Sequence, residues 1–363
     1  MKKKEKFMEI LEKINLNKVN LDDNFFDSLK KDYQDFERWF LKKKSENLEV
    51  YVKFDNNKKI KIFLMLQIKN EIEEDILPLQ KQIKRIKIST FKIDEKYKSQ
   101  RFSEALINII FTVMDEENVD ECYVSLFKEK QDNLYKILLS WGFIETGFKN
   151  KEIILTKFKN KSTNSIKSDY RWYFRKEVFK NYKNSNYYLL PFETEYHDKL
   201  FPENKLWKTS NKAKEFDISS ISITKTYLSK TPYIKIPEKG DFLLEYRKSD
   251  IPQKIFRSVI TGVGIITEVI NGKNMKLEEW LKIVGNTSVF TSDELKKEFT
   301  SNRKIIIKFL HIFSFGEKNN INYQFLEDNN MWKKGDYLPS HPMENKIKII
   351  NLILEKWKSK WKY

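Results

Sequence analysis

The first 158 residues alternate between segments of helical and of strand-like hydrophobic spacing. In NFFDSLKKDYQDFERWFLKKK, which starts at Asn24, aromatic and aliphatic residues recur at helical spacing. LEVYVKFDNNKKIKIFLMLQI, which starts at Leu48, holds two alternating runs on either side of Asp55, Asn56 and Asn57. Such a pattern is typical of a hairpin. We therefore expect a helix followed by a β-hairpin.

Further alternation follows before residue 159. The strand-like segments are IKRIKISTFKI, ending at Ile93, ECYVSLF, from Glu121, and KEIILTKF, from Lys151. Between them lie two helical segments, SEALINIIFTVMDEEN from Ser103 and NLYKILLSWGF from Asn133, the second closing at Gly142. Helices and strands in this order predict an α/β or α+β domain around one sheet.

The C-terminal part of the chain is richer in β-branched and aromatic segments. SSISITKTYL, GDFLLEYR, FRSVITGVGIITEVI and KIIIKFLHIFSF all have strand-like composition and are separated by polar turns. Helices are expected over Leu277–Val284, over Asp293–Phe299 and from Glu344 to Trp357. This pattern predicts a small, mostly β barrel decorated with helices.

Two loose polar stretches divide the chain, NKSTNSIKSD at 160–169 and KTSNKAKEFD at 208–217. They predict a first domain over 1–158, a connecting region over 159–215 and a second domain over 216–363. The connecting region interleaves aromatic residues with Lys and Arg. Two interpretations stay open for it: binding of single-stranded nucleic acid, or a strap that packs on both neighbouring domains.

Composition points to a class of partner only through charge. The chain carries 69 Lys and Arg against 52 Asp and Glu, a net charge of +17, which favours a polyanion such as RNA or DNA. AT-rich coding offers a second explanation, because Lys, Asn and Ile are abundant and base-reading Arg is scarce. One cysteine excludes a disulfide framework, and three separated histidines do not suggest a metal site. The basic N-terminus lacks an apolar signal core and no apolar run is long enough to span a membrane, so we expect a soluble, cytoplasmic protein.

The element order over residues 24–157 resembles the GNAT-type N-acetyltransferase fold. The resemblance rests on the strand that leads into KYKSQRFSEALI, and on LYKILLSWGF, which is similar to the LYxxxGF helix of that family. It implies that acetyl-CoA is the cofactor. It places the pyrophosphate loop, written [QR]xxGx[GA] in the family, at KSQRFS, where backbone amides and a helix N-terminus bind the anion.

The same resemblance assigns individual residues. Acetyl-CoA would be bound by the end of the strand and by the loop, at Ile93, Lys98, Ser99, Gln100, Arg101, Phe102 and Ser103. Tyr135 would protonate the departing thiolate, and Glu95, at the end of the strand with Asp94, is the nearest candidate for a general base.

The loop departs from the family pattern, because Ser99, Arg101 and Ser103 stand where glycines are expected. Cationic side chains at Lys98 and Arg101 would add attraction for a diphosphate. The alternative is a solvated basic turn before an ordinary amphipathic helix. Tyr135 likewise has a packing interpretation beside its catalytic one.

The C-terminal part resembles the PUA-like superfamily, and within it EVE and ASCH domains. The residues that carry this likeness are TKTYLSKTPYIKIPEKGDFLLEYR, from Thr224, and SVITGVGIITEV, from Ser258. The resemblance implies a cleft that holds a nucleobase between aromatic rings and polar edges. The candidate nucleic-acid-binding residues are Tyr227, Tyr246, Arg247, Arg257 and Trp332.

Together the two resemblances imply an α+β protein with a GNAT-like mixed sheet flanked by helices and a PUA-like, mostly β barrel. They imply a two-domain transferase that acetylates a nucleic acid or a nucleic-acid-bound substrate such as tRNA. The alternative is a non-catalytic nucleic-acid-binding or modified-base sensor protein built on a degenerate GNAT scaffold. A protein acetyltransferase with an accessory barrel is a third hypothesis, since composition does not choose among acceptors.

Overall fold

The structure is a computed structural model that describes residues 10–97, 100–161, 165–168, 170–172, 184–201, 215–229, 235–249, 258–285, 287–301, 305–316, 319–331, 342–343 and 346–360. Contacts divide the chain into two compact units. Unit 1 comprises Met1–Lys161 and Asn211–Ile221, and unit 2 comprises Ser162–Ser210 and Ser222–Tyr363.

Unit 1 is built on one mixed sheet. Its strands are β1 (Ile10–Asn15), β2 (Glu49–Phe54), β3 (Ile60–Lys69), β4 (Arg85–Ile93), β5 (Glu121–Leu126), β6 (Ile144–Lys149), β7 (Glu152–Phe158) and β9 (Glu215–Asp217), in the spatial order β6-β7-β5-β4-β3-β2-β1-β9. The helices are α1 (Asp27–Asp32), α2 (Phe36–Ser45), α3 (Gln100–Glu116), α4 (Asp132–Ser140) and α6 (Ile218–Ile221). Only β4 and β5 run parallel; the other neighbouring strands are antiparallel.

Apolar side chains join the helices of unit 1 to its sheet. Phe26 and Phe40, both fully buried, pack with Phe63 of β3 in one aromatic cluster. On α3, Ile107, Ile110 and Phe111 are likewise buried, which is the stripe expected of a helix with one face on a sheet. Burying such side chains contributes roughly 1.5–3 kcal/mol each.

The predicted hairpin and helix end in unit 1 are confirmed. Between β2 and β3 the Asp55 carboxylate accepts the backbone N–H groups of Asn57 and Lys59, each at 2.9 Å. An aspartate that bonds its own turn in this way stabilises the reversal. After α4 the chain turns through Gly142, whose φ of 80° is a left-handed conformation that favours glycine.

Unit 2 has a second mixed sheet. Its strands are β8 (Tyr187–Phe192), β10 (Thr224–Ser229), β11 (Phe242–Arg247), β12 (Val259–Asn271), β13 (Ile305–Ser314) and β14 (Ile321–Asn322), in the order β10-β13-β12-β11-β8 with β14 beside β12. Around it lie α5 (Thr194–Leu200), α7 (Leu277–Val284), α8 (Ser292–Thr300), α9 (Tyr323–Asp328) and α10 (Lys346–Lys360). The α+β class with two sheets is confirmed.

The boundaries differ from those expected. Tyr187–Phe192, which lies in the predicted connecting region, is a strand of unit 2 that pairs in parallel with β11. Glu215–Asp217 returns to unit 1 and pairs with β1. Both segments are short, and their pairing partners are distant in sequence, so local patterning gave no sign of either.

Among the described residues, no helix combines the length and the apolar character that crossing a bilayer requires.

Candidate active site

The parallel strands β4 and β5 part soon after they begin. They pair at Ile86 with Cys122 and at Lys87 with Tyr123, and then continue to Ile93 and Leu126 without further partners in that ladder. Parted strands leave backbone N–H and C=O groups on their facing edges available to other partners. The sheet of unit 1 therefore opens at its centre.

An extra residue in β4 lies at this opening. Thr90 pairs with Met65 and Ile88 pairs with Leu66, so Ser89 has no residue opposite it in β3. The Ser89 hydroxyl instead donates to Gln67 Oε1 at 2.8 Å. A bulge of this kind bends the strand and re-aims its backbone groups, and bulges are common beside active sites.

A cleft of about 830 Å³ opens beside the parted strands, entirely within unit 1. Its walls come from the turn between α1 and α2, from β4, from the end of β5 and from the turn between β6 and β7. The lining includes five lysines, five aromatic residues and three acids. The residues concerned are Lys31, Lys87, Lys130, Lys149 and Lys151, Tyr33, Phe36, Trp39, Phe91 and Phe127, and Asp32, Asp35 and Glu152.

Glu152 joins two walls of the cleft. Its Oε1 accepts from the Tyr33 hydroxyl at 3.1 Å and from the Ser125 hydroxyl at 3.3 Å. Burial, followed by the negative charge of Glu152, raises the pKa of the Tyr33 phenol, so this phenol stays a proton donor at neutral pH. Both partners are neutral hydroxyl groups, so neither supplies a positive charge that would balance the carboxylate.

A second carboxylate, Glu73, binds side chains at the end of the opening where β4 and β5 are still paired. It accepts from Lys87 Nζ at 2.6 and 2.9 Å, from the Tyr123 hydroxyl at 2.7 Å and from Lys149 Nζ at 3.2 Å. Burial alone would raise the Glu73 pKa, but the hydrogen bond and charge of Lys87, with help from Tyr123 and Lys149, hold it at about 2. Glu73 thus ties the loop after β3 to the first residues of β4 and β5.

The two residues predicted to be catalytic do not line this cleft. The Tyr135 hydroxyl donates to Glu145 Oε1 at 2.5 Å on the exposed side of α4, with Lys128 Nζ 4.5 Å from the ring centre. The LYxxxGF motif places its tyrosine four residues before the glycine, and that position here is the buried Leu138. Glu95 is exposed on the 3-10 turn Glu95–Tyr97.

The predicted cofactor loop is described in part. Ile93 ends β4 and pairs with Ile62, and Gln100 begins the 17-residue helix α3. Phe102 and Ser103 are buried, whereas Arg101 is half-buried with its guanidinium 6.0 Å from the Phe102 ring centre. Lys98 and Ser99 lie outside the described residues.

The structure describes three of the five predicted nucleic-acid-binding residues, and all three are packed into unit 2. The Tyr227 hydroxyl donates to the Pro191 carbonyl at 3.1 Å, and its ring packs on Phe192. Tyr246 is buried, which raises the pKa of its phenol. Arg247 is also buried and bonds both carboxylate oxygens of Asp198, at 3.0 and 3.2 Å. Arg257 and Trp332 lie outside the described residues.

A buried polar cluster in unit 2 was missed from the sequence. His197 has Nδ1 3.0 Å from Asp198 Oδ1 and Nε2 2.8 Å from Thr261 Oγ1, and burial lowers its pKa. An ionised carboxylate only accepts, so neutral His197 donates from Nδ1 and accepts at Nε2. The burial of Asp198 would raise its pKa, but bonds from His197 and Arg247 hold it at about 2.

The second histidine of this cluster lies on β13. His311 Nδ1 is 2.7 Å from Glu245 Oε1, and its Nε2 is 3.1 Å from the Ser314 hydroxyl. The other Glu245 oxygen, Oε2, is buried and has no hydrogen-bond partner among the residues that the structure describes. A lone histidine in the sequence gives no sign of such a cluster, because the members of the cluster lie on four separate elements, α5, β11, β12 and β13.

Ser89, Glu152 and Glu73 were also missed. The predictions followed the strand and loop that the family motif marks, whereas these three residues come from a bulge, the first position of β7 and a loop. An acid at the start of a predicted strand, as in KEIILTKF, was the one available signal for Glu152.

No protein-family model matches the chain, and no curated protein does so either. Several solved structures are similar to it. A GNAT-family acetyltransferase from Listeria monocytogenes 4b F2365 is 14% identical over 30% of this chain, with a TM-score of 0.25, and the match spans 63% of that protein, less than two thirds of its length.

Two further solved structures match nearly over their whole length. The PaiA N-acetyltransferase from Thermoplasma acidophilum, in complex with coenzyme A, is 13% identical over 42% of this chain and 99% of its own, with a TM-score of 0.31. An ASCH protein from Zymomonas mobilis is 9% identical over 47% of this chain and 94% of its own, also with a TM-score of 0.31. The solved structures similar to this chain thus include GNAT acetyltransferases and ASCH proteins, the two fold types that its sequence resembles.

Proposed function

We propose that unit 1 is an acetyl-CoA-dependent N-acetyltransferase whose acceptor is a nucleic acid or a nucleic-acid-bound amine, and that unit 2 recognises the nucleic acid. The observation that carries the transferase part is the parting of β4 and β5 beside a cleft, with a bulge at Ser89. Parted strands offer unpaired backbone N–H groups to a thioester carbonyl, the arrangement that stabilises charge on oxygen during acyl transfer.

The surroundings of the opening suit an acyl thioester that carries a diphosphate. Residues of β4 and of the end of β5 line the cleft where the two strands part, and α3 begins seven residues after β4 ends. The N-terminus of a helix carries a partial positive charge, which attracts a diphosphate. Arg101 on the first turn of α3 is half-buried and adds a positive charge there.

Acetyl-CoA, when bound, would supply the acyl group; the residues of unit 1 would orient it and accept the proton of the amine. Holding both reactants in one cleft turns a bimolecular step into an effectively unimolecular one. The lysine and aromatic lining favours an acceptor with phosphates and rings, because lysine attracts phosphate and aromatic rings stack on bases. We place this reaction in the cytoplasm.

Calorimetry of the full chain with acetyl-CoA tests the proposal. We expect binding of acetyl-CoA and of coenzyme A, and weaker binding of S-acetyl-pantetheine, which lacks the diphosphate. Arg101→Ala should weaken acetyl-CoA binding without affecting S-acetyl-pantetheine. Absence of heat with millimolar acetyl-CoA would remove the transferase from consideration.

A non-catalytic nucleic-acid-binding protein on the same scaffold is the second candidate. The side chain of Arg101 in place of glycine favours it, as does the hydrogen bond of Tyr135 to Glu145 away from the cleft. Nucleic-acid binding by a chain that binds no acetyl-CoA would select this candidate.

A further inference from the structure

We propose that Glu152 binds the ammonium group of the acceptor and takes its proton, and that the acceptor is a primary alkyl amine that carries an aromatic or nucleobase ring nearby. This inference rests on the proposed acetyl transfer in unit 1. In this proposal Glu152 takes the role of base that was predicted for Glu95, which is exposed on a turn and does not line the cleft.

The charge of Glu152 distinguishes it from neighbouring carboxylates. Glu73 is neutralised by two lysines, and Glu145 by Lys128 at 3.0 Å. Among the described residues, no lysine or arginine forms an ion pair with Glu152, whose partners are two hydroxyl groups. A carboxylate that lines a cleft without a cation of its own attracts one from a ligand.

Aromatic rings lie next to this carboxylate. The Tyr33 ring, whose hydroxyl bonds Glu152, lies 5.2 Å from the Phe127 ring, centre to centre, and both line the cleft with Trp39. Aromatic faces attract ammonium groups and stack on planar rings. Carboxylate and rings together therefore match an amine that carries a ring nearby.

The proton balance of the step is complete. The bound ammonium gives one proton to the Glu152 carboxylate and becomes a neutral amine. Its nitrogen lone pair forms the new C–N bond to the acetyl carbon while the C–S bond of acetyl-CoA breaks. The second proton leaves nitrogen for the thiolate, so the products are the amide, coenzyme A as thiol and a protonated Glu152 that returns its proton to water.

Calorimetry with two matched probes tests the ammonium site. Tryptamine carries a primary ammonium on an indole ring, and N-acetyltryptamine has the same ring without the charge. We expect the full chain to bind tryptamine, and Glu152→Gln to weaken that binding about tenfold or more, while binding of N-acetyltryptamine is unchanged. Glu145→Gln is the matched control, because Glu145 also accepts from a tyrosine hydroxyl but lies outside the cleft.

Equal tryptamine binding by the wild type and Glu152→Gln overturns the inference, as does a wild type that does not bind tryptamine. If Glu152→Gln does not fold, the wild type can be tested with a water-soluble carbodiimide, which joins amines to carboxylates. We expect tryptamine to be joined to Glu152 in preference to Glu145, as measured by peptide mass spectrometry. Cross-linking without that preference also overturns it. Failure of the transferase proposal would be detected separately, because the wild type would then not bind acetyl-CoA.

Discussion

Glu73 connects three elements of unit 1 through one carboxylate. Its side chain, 13% exposed, holds Lys87 and Tyr123 at the point where β4 and β5 part, and Lys149 at the end of β6. Burial lowers the pKa of Lys87, and the bond to Glu73 opposes that shift. The pair is therefore mutually dependent, because either charge alone would be poorly solvated.

Replacing Glu73 by Gln should destabilise the protein by about 2–3 kcal/mol, since Lys87 would lose its counter-ion in a half-buried site. Lys87→Met alone should also destabilise, but the double variant should recover part of the loss. Urea unfolding of the four proteins measures the coupling, expected at about 1–2 kcal/mol. Additive effects of the two substitutions would contradict the mutual dependence.

His197 should make unit 2 sensitive to acid. Burial lowers its folded-state pKa below the ordinary value near 6.5, so below about pH 6.5 the unfolded chain binds more protons than the folded one. Its contribution to stability is thus present above that pH and is lost as the pH falls through the folded-state pKa. The slope is at most about 1.4 kcal/mol per pH unit for one proton.

Calorimetric unfolding of the wild type and His197→Gln at pH 7.5 and pH 5.5 checks this dependence. The variant should unfold at a lower temperature at pH 7.5, because it loses the bonds to Asp198 and Thr261. The difference should shrink at pH 5.5, because only in the wild type does residue 197 take up a proton on unfolding, which favours the unfolded state. A difference that stays constant or grows with acid contradicts this role.

At the scale of elements, β12 and β13 pack closely around Glu245. A Cβ atom at Gly262 would lie 2.5 Å from Glu245 Oε2, 2.8 Å from the Phe313 carbonyl oxygen and 3.2 Å from the His311 ring. The Phe313 oxygen belongs to the backbone, and the Glu245 and His311 side chains are bonded to each other, so all three neighbours have little freedom to move aside. Gly262 is therefore required by close approach of the strands.

Gly262→Ala should cost about 1–3 kcal/mol through this overpacking. Glu268→Gln on the same strand is the control, because its side chain is 52% exposed and its ion pair with Lys308 lies at the surface. We expect the control to change the free energy of unfolding by less than about 0.5 kcal/mol. Equal effects of Gly262→Ala and Glu268→Gln in urea unfolding would show that the strands leave room for a Cβ atom at residue 262.

Elements differ in how far their sequences predicted them. The helix Leu277–Val284 was predicted with both ends, because its apolar residues keep helical spacing and Gly285 follows it. The segment SSISITKTYL was predicted as one strand, but Ile218–Ile221 is helical and the strand begins at Thr224. Short segments rich in Ser and Ile fit either element, and tertiary contacts decide between them.

At the scale of the whole molecule, the charge of +17 predicts salt-dependent binding of nucleic acid. Each phosphate contact releases counterions, so affinity for single-stranded RNA or DNA should fall about tenfold or more between about 50 and about 200 mM salt. Exposed Lys31 and Lys151 line the cleft, and reversing both charges to Glu should weaken binding and flatten the salt slope.

Lys42→Glu with Lys59→Glu is the matched control, because both lysines are exposed in unit 1 but do not line the cleft. Gel-shift titration at several salt concentrations separates the two double variants. The same loss in both would mean that net charge alone attracts the nucleic acid. No shift at low salt would remove nucleic acid as a partner.

The sequence by itself determined the α+β class, the β2–β3 hairpin and the succession of elements from β4 to β7. These depend on hydrophobic period and turn residues, which act over a few neighbouring positions. The tertiary structure alone decided that β4 and β5 part beside Ser89, that Tyr33, Ser125 and Glu152 meet, and that Tyr135 faces Glu145 instead. Tyr33 and Glu152 are 119 positions apart in the chain, and such contacts arise from the packing of whole elements, which local spacing does not encode.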